Sequence, residues 1–377
     1  MLNRRTLRTK IMQSLFSFEQ CKEANYQLAL NQLEDFFQPD LNSMEVQNKE
    51  LLKSQRKLAK NTIEKYFHSG TTPTTTDDSV NKAVADAITV YNNRVAKDFS
   101  FFKKNMISEV ERLNDYYRSV LNLLIQFADL AAEEKKTNFS NFIQLPWIKA
   151  FRDHAELFGK ASKGTVTWNG KSDQVKNWFT SILKPNEEFQ KFCQLASPSF
   201  EDQQTIMKHV VRKLIIGKTE INDYFEQEDI HWAEDKDIIK SLVDKTLKSL
   251  TEENRSVQLE KISLDWEDDK LFMEKLFEKA VEIESAHKEL IASNTKNWEV
   301  ERLPLTDRIT LEMAISELIH FPNIPVKVSI NEYIEMSKHY STPKSSQFIN
   351  GILDVIAKEL IATGVVKKSG RGLIDNK

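Results

Sequence analysis

Residues 305–360 read LTDRITLEMAISELIHFPNIPVKVSINEYIEMSKHYSTPKSSQFINGILDVIAKEL. Apolar residues recur at three- and four-residue steps in three runs, Leu305 to His320, Ile330 to Tyr340 and Ser345 to Leu360, which is the period of a helix with a buried face. Pro304, Pro322, Pro325 and Pro343 fall between or before these runs. A proline forces the residue before it out of the helical region, so the stretch divides into short, closely linked helices. A compact helical bundle is the fold this predicts.

Working outward, residues 268–284 place Leu271, Lys275, Phe277, Val281 and Glu284 on another helical repeat. At the other end of the chain, Leu7, Ile11, Leu15 and Phe18 form an apolar stripe that Met12 and Phe16 widen. Arg4, Arg5 and Arg8, with Lys10 nearby, give that helix a cationic start, with no acid before Glu19. A second helix is expected from Tyr26 to Phe37, stopping at Gln38-Pro39.

Between these flanks the style of the chain changes. Residues 41–262 carry longer polar helices, aromatic clusters and a small-residue loop from Ser69 to Asp78, and read as an inserted helical domain. A long helix with one apolar face fits Phe101 to Ala132, further helices fit Gln203 to Ile216 and Asp237 to Leu250, and a small hairpin around Asn169-Gly170 is expected over Thr165 to Lys171. Thr251 to Ser256 reads as a linker. The expected organisation is therefore a bundle in two parts, 1–40 and 263–366, interrupted by 41–262 and followed by a polar tail, 367–377, expected to fray.

Composition agrees with an all-α class. Only 9 Gly and 9 Pro occur in 377 residues, too little turn punctuation for a many-stranded fold. Lys and Arg total 53 against 56 Asp and Glu, so any attraction to nucleic acid must come from a local patch. Cys21 and Cys193 are far apart and show no ligand spacing, which suits a reducing cytosol. The start, Met-Leu-Asn-Arg-Arg, lacks the apolar run of a signal peptide, and no stretch reaches about 18 uncharged apolar residues, so a cytoplasmic, non-membrane protein is expected. No phosphate-binding glycine loop, HExxH or nucleophile motif occurs, so neither an enzyme nor a cofactor is expected. His231 near Glu234 and Asp235 reads as a solvated helix face rather than a metal site.

Several strings carry a resemblance. Asn3-Arg4-Arg5-Thr6-Leu7-Arg8, Gln13-Ser14-Leu15-Phe16, Asp307-Arg308-Ile309-Thr310-Leu311, Ser316-Glu317-Leu318, Ile324-Pro325-Val326-Lys327-Val328, Ile330-Asn331-Glu332 and Phe348-Ile349-Asn350-Gly351-Ile352-Leu353-Asp354 occur in an order and spacing that resembles the NusB family of transcription antitermination factors. The likeness covers about 1–40 and 263–362, leaving more than half the chain outside it. It implies two packed helical subdomains that bind boxA-like, single-stranded RNA together with NusE, a ribosomal protein of the small subunit. The complex so formed helps RNA polymerase read through terminators, chiefly in ribosomal RNA transcription.

Under that resemblance Arg4, Arg5 and Arg8 are expected to grip phosphates, a task suited to guanidinium groups. Arginine-rich helix ends are also commonly plain solvated surface. Tyr340 and Phe348 flank the polar loop around Lys344, where rings can stack on unpaired bases and the lysine can meet a phosphate. Core anchoring is the competing reading for Phe348. Phe16 stands where the family often has tyrosine, keeping a stacking face but losing a hydroxyl. Lys344 stands where an acid can occur in the family, a departure expected to help phosphate binding, and Glu312 stands where an arginine is common, which puts that local ion pairing in doubt. Asp307, with Trp298 and Glu301 upstream, is expected to face the basic protein partner, although an acid opening a helix can equally act as a cap. Asn350-Gly351 inside a helix suggests close helix packing. The alternative to RNA binding is a non-enzymatic adaptor working through the inserted domain.

Overall fold

The structure is a computed structural model that describes residues 2–42, 44, 46–71, 74–158, 168–283, 285–294 and 303–376. Every regular element among them is helical, and no strand occurs there. Three long helices come first: α1 (Arg4–Phe36), α2 (Lys49–Ser69) and α3 (Asp78–Glu133). Shorter ones follow as α4 (Ser140–Ile143), α5 (Pro146–Arg152), α6 (Ala155–Phe158), α7 (Ser172–Trp178), α8 (Glu187–Cys193), α9 (Phe200–His209), α10 (Thr219–Glu228) and α11 (Trp232–Ser249). The last part holds α12 (Trp266–Val281), α13 (Ser285–Asn294), α14 (Leu305–His320), α15 (Val326–Tyr340) and α16 (Ser345–Ala362).

These elements form two compact units. One contains Arg5–Ile107 and Lys270–Lys377, and the other contains Ser108–Asp269 with the chain up to Arg4. The central unit therefore starts later than the 41–262 span read from the sequence, because residues 41–107 pack with the terminal segments. Ala29, Leu33 and Phe37 of the first segment share an apolar cluster with Ala59 and Ile63 of α2 and with Val80, Val84 and Ala87 of α3.

In the terminal unit α14 is the hub. Ile309, Leu311, Met313, Ala314, Ile315 and Leu318 are all buried, so the helix is apolar nearly all round, as expected of one enclosed by neighbours. The Phe18 ring meets Phe99, Phe102 and Phe277 at centroid distances of 6.0, 6.3 and 6.2 Å, two of them edge-on. Where two helices were expected before Pro39, α1 is one helix of 33 residues. Nothing between Gln20 and Asn25 is a breaker, Lys22 pairs with Glu19 at 2.8 Å, and Asn25 reaches Asp98 at 2.7 Å.

The tail differs from expectation too. Gly370–Asn376 forms a tight helical turn, the Ser369 amide donates to the Pro322 carbonyl at 3.0 Å, and Lys368 donates to the Phe321 carbonyl at 3.1 Å. A Cβ on Gly372 would come within 2.0 Å of the Pro322 carbonyl oxygen, so only glycine permits this approach. Conversely, a Cβ on Gly351 would meet nothing within 4 Å, so the close packing expected there is absent.

The central unit is built on aromatic residues. Phe225 and Trp232 stack at 4.2 Å, and Trp147 stacks on Phe200 at 5.3 Å. Buried indole N–H groups need partners: Trp147 donates to the Leu247 carbonyl at 2.8 Å, Trp168 to the Ser119 carbonyl at 2.9 Å and Trp232 to Asn222 at 2.7 Å. Both α7 and α9 continue into π-helical turns, Phe179–Leu183 and Val210–Ile215. The second of these carries the helix expected from Gln203 to Ile216. Residues 165–167 of the hairpin expected over 165–171 lie outside the described residues; Gly170 itself sits in a turn at φ +76°.

Candidate RNA interface

The cationic start of α1 does not present three equivalent arginines. Arg4 pairs with Asp268 at 2.5 Å and Asp269 at 3.2 Å at the edge of the central unit. Arg5 is about half exposed and holds Glu332 of α15 through two hydrogen bonds of 2.9 and 3.0 Å. These bonds raise the Arg5 pKa, and the same bonds with the Arg5 charge hold the Glu332 carboxyl below its usual range.

Arg8 is a correction to the surface reading. It is only 2% exposed, and its guanidinium forks onto Glu317 of α14 with two bonds of 2.7 Å. Glu317 is 0% exposed and accepts two more hydrogen bonds, from Ser329 at 2.6 Å and Tyr333 at 2.9 Å. Its oxygens are thus fully used, which is the condition under which a buried charge is tolerated. The Arg8 carbon lies 5.5 Å from the Phe272 ring centre and 5.8 Å from that of Tyr333. Burial works against the Arg8 charge, but the hydrogen bonds and charge of Glu317 outweigh it and raise the pKa. Burial likewise pushes the Tyr333 hydroxyl well above its ordinary value, with the Glu317 charge adding to the effect. Sequence reasoning missed this network, although Glu317 in an otherwise apolar run was a visible signal.

The other expected RNA residues lie on the surface or at its edge. Phe16 is 36% exposed and stands eleven residues after Arg5, close to a whole number of helical turns, so the two share one face of α1 about 16 Å apart. Tyr340 is half-buried at the end of α15, eight residues or about 12 Å along the axis from the Arg5 contact Glu332. Lys344 is exposed immediately before α16, and Phe348 is half-buried in its first turn. Arg5, through Glu332, and the Tyr340–Phe348 loop are therefore both connected to α15.

Asp307 does not form an exposed acidic patch. It is 3% exposed and accepts a hydrogen bond from Ser345 at 2.7 Å, joining the start of α14 to the start of α16. Ser345 also contacts Thr342 at 2.8 Å and Ser341 at 3.0 Å, so the loop before α16 is fastened by hydroxyls. The other two partner-facing candidates, Trp298 and Glu301, lie outside the described residues.

The described residues form an all-helical protein, and comparison with known proteins bears on its family. Residues 233–358 match the NusB family, so the chain carries a NusB-family domain. The match begins in α11, upstream of the 263 boundary read from the sequence. Proteins named transcription antitermination protein NusB align with this chain from Chloroherpeton thalassium, 49% identical over 85 residues, from Salinibacter ruber, 43% over 103, and from Natranaerobius thermophilus, 47% over 72. These alignments cover 22%, 27% and 19% of this chain and only 40%, 64% and 52% of the respective relatives. A solved structure of NusB from T. maritima is 28% identical and covers 41% of this chain and 91% of its own, with a TM-score of 0.24. No helix among the described residues is long and apolar enough to cross a membrane.

Proposed function

We propose that the protein is a cytoplasmic, non-enzymatic transcription antitermination factor that binds boxA-like, single-stranded RNA together with the ribosomal protein NusE. In this reading it joins an RNA polymerase antitermination complex and promotes read-through, chiefly in ribosomal RNA transcription. The observation that carries it is the 43–49% identity, over 72 to 103 residues, to proteins named for antitermination.

The surface supports a division of labour on the RNA. Arg5 and Lys344, with Arg4, are assigned to phosphates, and Phe16, Tyr340 and Phe348 to bases. Arg5 can exchange its bond to Glu332 for a phosphate because that pair is half exposed and weakly held. Arg8 has no such freedom and is assigned to the core. Contact with NusE is assigned to the segment carrying Trp298 and Glu301. The central unit is read as an insertion into the NusB-like bundle.

Gel-shift titration with boxA-like and scrambled RNA, with and without NusE, over a range of salt tests the proposal. Three phosphate contacts give a slope of log affinity against log salt of about −2, at roughly 0.7 per contact for single strands. Tighter binding of the boxA-like strand in the presence of NusE is expected. Equal binding of both strands, or none at low salt, overturns the reading.

A further inference from the structure

The central unit contains a cavity of about 830 Å³, within the size range of small-molecule sites. One wall is the stretch of α3 from Val110 to Arg118, and the opposite wall is the irregular strap Val257–Ser263 leading into Trp266. The strap is fixed by the Glu260 amide, which donates to the Tyr117 hydroxyl at 3.1 Å. Tyr117, Val257, Leu259 and Trp266 give the cavity an apolar part, set among polar residues that include Asn114 and Lys261.

Two of the lining residues carry an unmatched polar atom. Arg118 Nε and His154 Nδ1 are buried and have no hydrogen-bond partner among the described residues. Buried groups of this kind are costly when unmade, and the positively charged Arg118 guanidinium is satisfied best by an anionic acceptor. Glu111 and Glu156 also line the cavity but are exposed and solvated. They disfavour a polymer with successive phosphates, while a single anionic group placed inward escapes them. Glu260, half-buried on the strap, further restricts the ligand to one such group.

We propose that this cavity binds a small organic anion, with one carboxylate, sulfonate or phosphate group held by Arg118 and His154 and a flat apolar body laid against Tyr117 and Trp266. The site is separate from the RNA-binding reading, since its lining comes wholly from residues 110–266.

The test uses the full chain and two fluorescent probes, 8-anilinonaphthalene-1-sulfonate and its uncharged relative N-phenyl-1-naphthylamine. The sulfonate should saturate a single site and bind more tightly than the neutral probe. Arg118→Gln should weaken the sulfonate about tenfold while changing the neutral probe less than twofold, because only a charge-assisted hydrogen bond is lost. Leu259→Trp, which narrows the cavity, should weaken both probes. His154→Gln serves as the second variant should Arg118→Gln melt early, with thermal melting run on each protein. Absence of saturable binding, or equal sulfonate affinity in wild type and in the folded Arg118 or His154 variant, overturns the proposal.

Discussion

Replacing Arg8 by Met tests the distinction between a core arginine and a surface one. In the folded protein Glu317 accepts four hydrogen bonds, two of 2.7 Å from Arg8 and one each from Ser329 and Tyr333. Arg8→Met fills similar space but leaves a fully buried carboxylate with two neutral donors, a loss of about 3–5 kcal/mol for a broken buried pair. Arg5→Ala, by contrast, removes a half-exposed pair and should cost at most about 1 kcal/mol. Adding Glu317→Leu to Arg8→Met should recover part of the loss, because no charge is then stranded. Recovery stays incomplete, since the Ser329 and Tyr333 hydroxyls lose their acceptor at about 1–3 kcal/mol each. Urea unfolding gives the totals, and hydrogen exchange in α14 and α15 shows whether the loss lies in the terminal unit. RNA titrations at a temperature where Arg8→Met is folded should show an unchanged salt slope. A single mutant within about 1 kcal/mol of wild type, or a double mutant no better than the single one, refutes the reasoning.

Four further outcomes follow from the structure. The folded Glu332 pKa is lowered by Arg5, so this pair stabilises above the unfolded carboxylate range and is lost as pH falls through the folded value; melting curves of Arg5→Ala and wild type should differ at neutral pH and converge as pH falls through the folded Glu332 value. Tyr340→Ala should weaken RNA by about 1–3 kcal/mol with the salt slope kept, whereas Arg4→Ala with Arg5→Ala should flatten the slope for any RNA sequence. Gly351→Ala should stabilise by about 1 kcal/mol in thermal melts, because the added methyl meets nothing and the helix gains propensity. Asp307→Ala should lower stability by about 1.5–3 kcal/mol through the lost Ser345 bond, and an unchanged melt would return Asp307 to the partner surface.

The helical class was legible because period and punctuation agree: prolines bracket α14, α15 and α16, and their apolar residues recur at helical steps. What escaped the sequence were relations between segments distant along the chain. The charge of Arg8 drew attention to phosphates, yet its spacing to Ile11 and Met12 is three and four residues, which places it on the buried stripe. An arginine on such a stripe needs a buried acid, and Glu317 is the acid set within an apolar helix. Neither position announces the other, since 309 residues separate them. Asp307 misled in the opposite direction: an acid near a helix start usually caps it, but here Ser345 claims the carboxylate and the side chain turns inward.

The same physics explains why the terminal unit reaches farther into the chain than its pattern suggested. A 33-residue α1 extends well past its contact with α14, and its distal half carries apolar residues that need cover. Residues 49–69 and the first part of α3 supply it, through Ala59, Ile63, Val80, Val84 and Ala87. Polar composition made these helices look like part of the central unit, while their few small apolar residues sit on the one face that touches α1. Burial therefore follows the position of a few residues rather than the average of a segment. By that rule Arg5, which faces solvent with Phe16 on the same side of α1, keeps its place in the proposed RNA surface, and Arg8, three residues further on, does not.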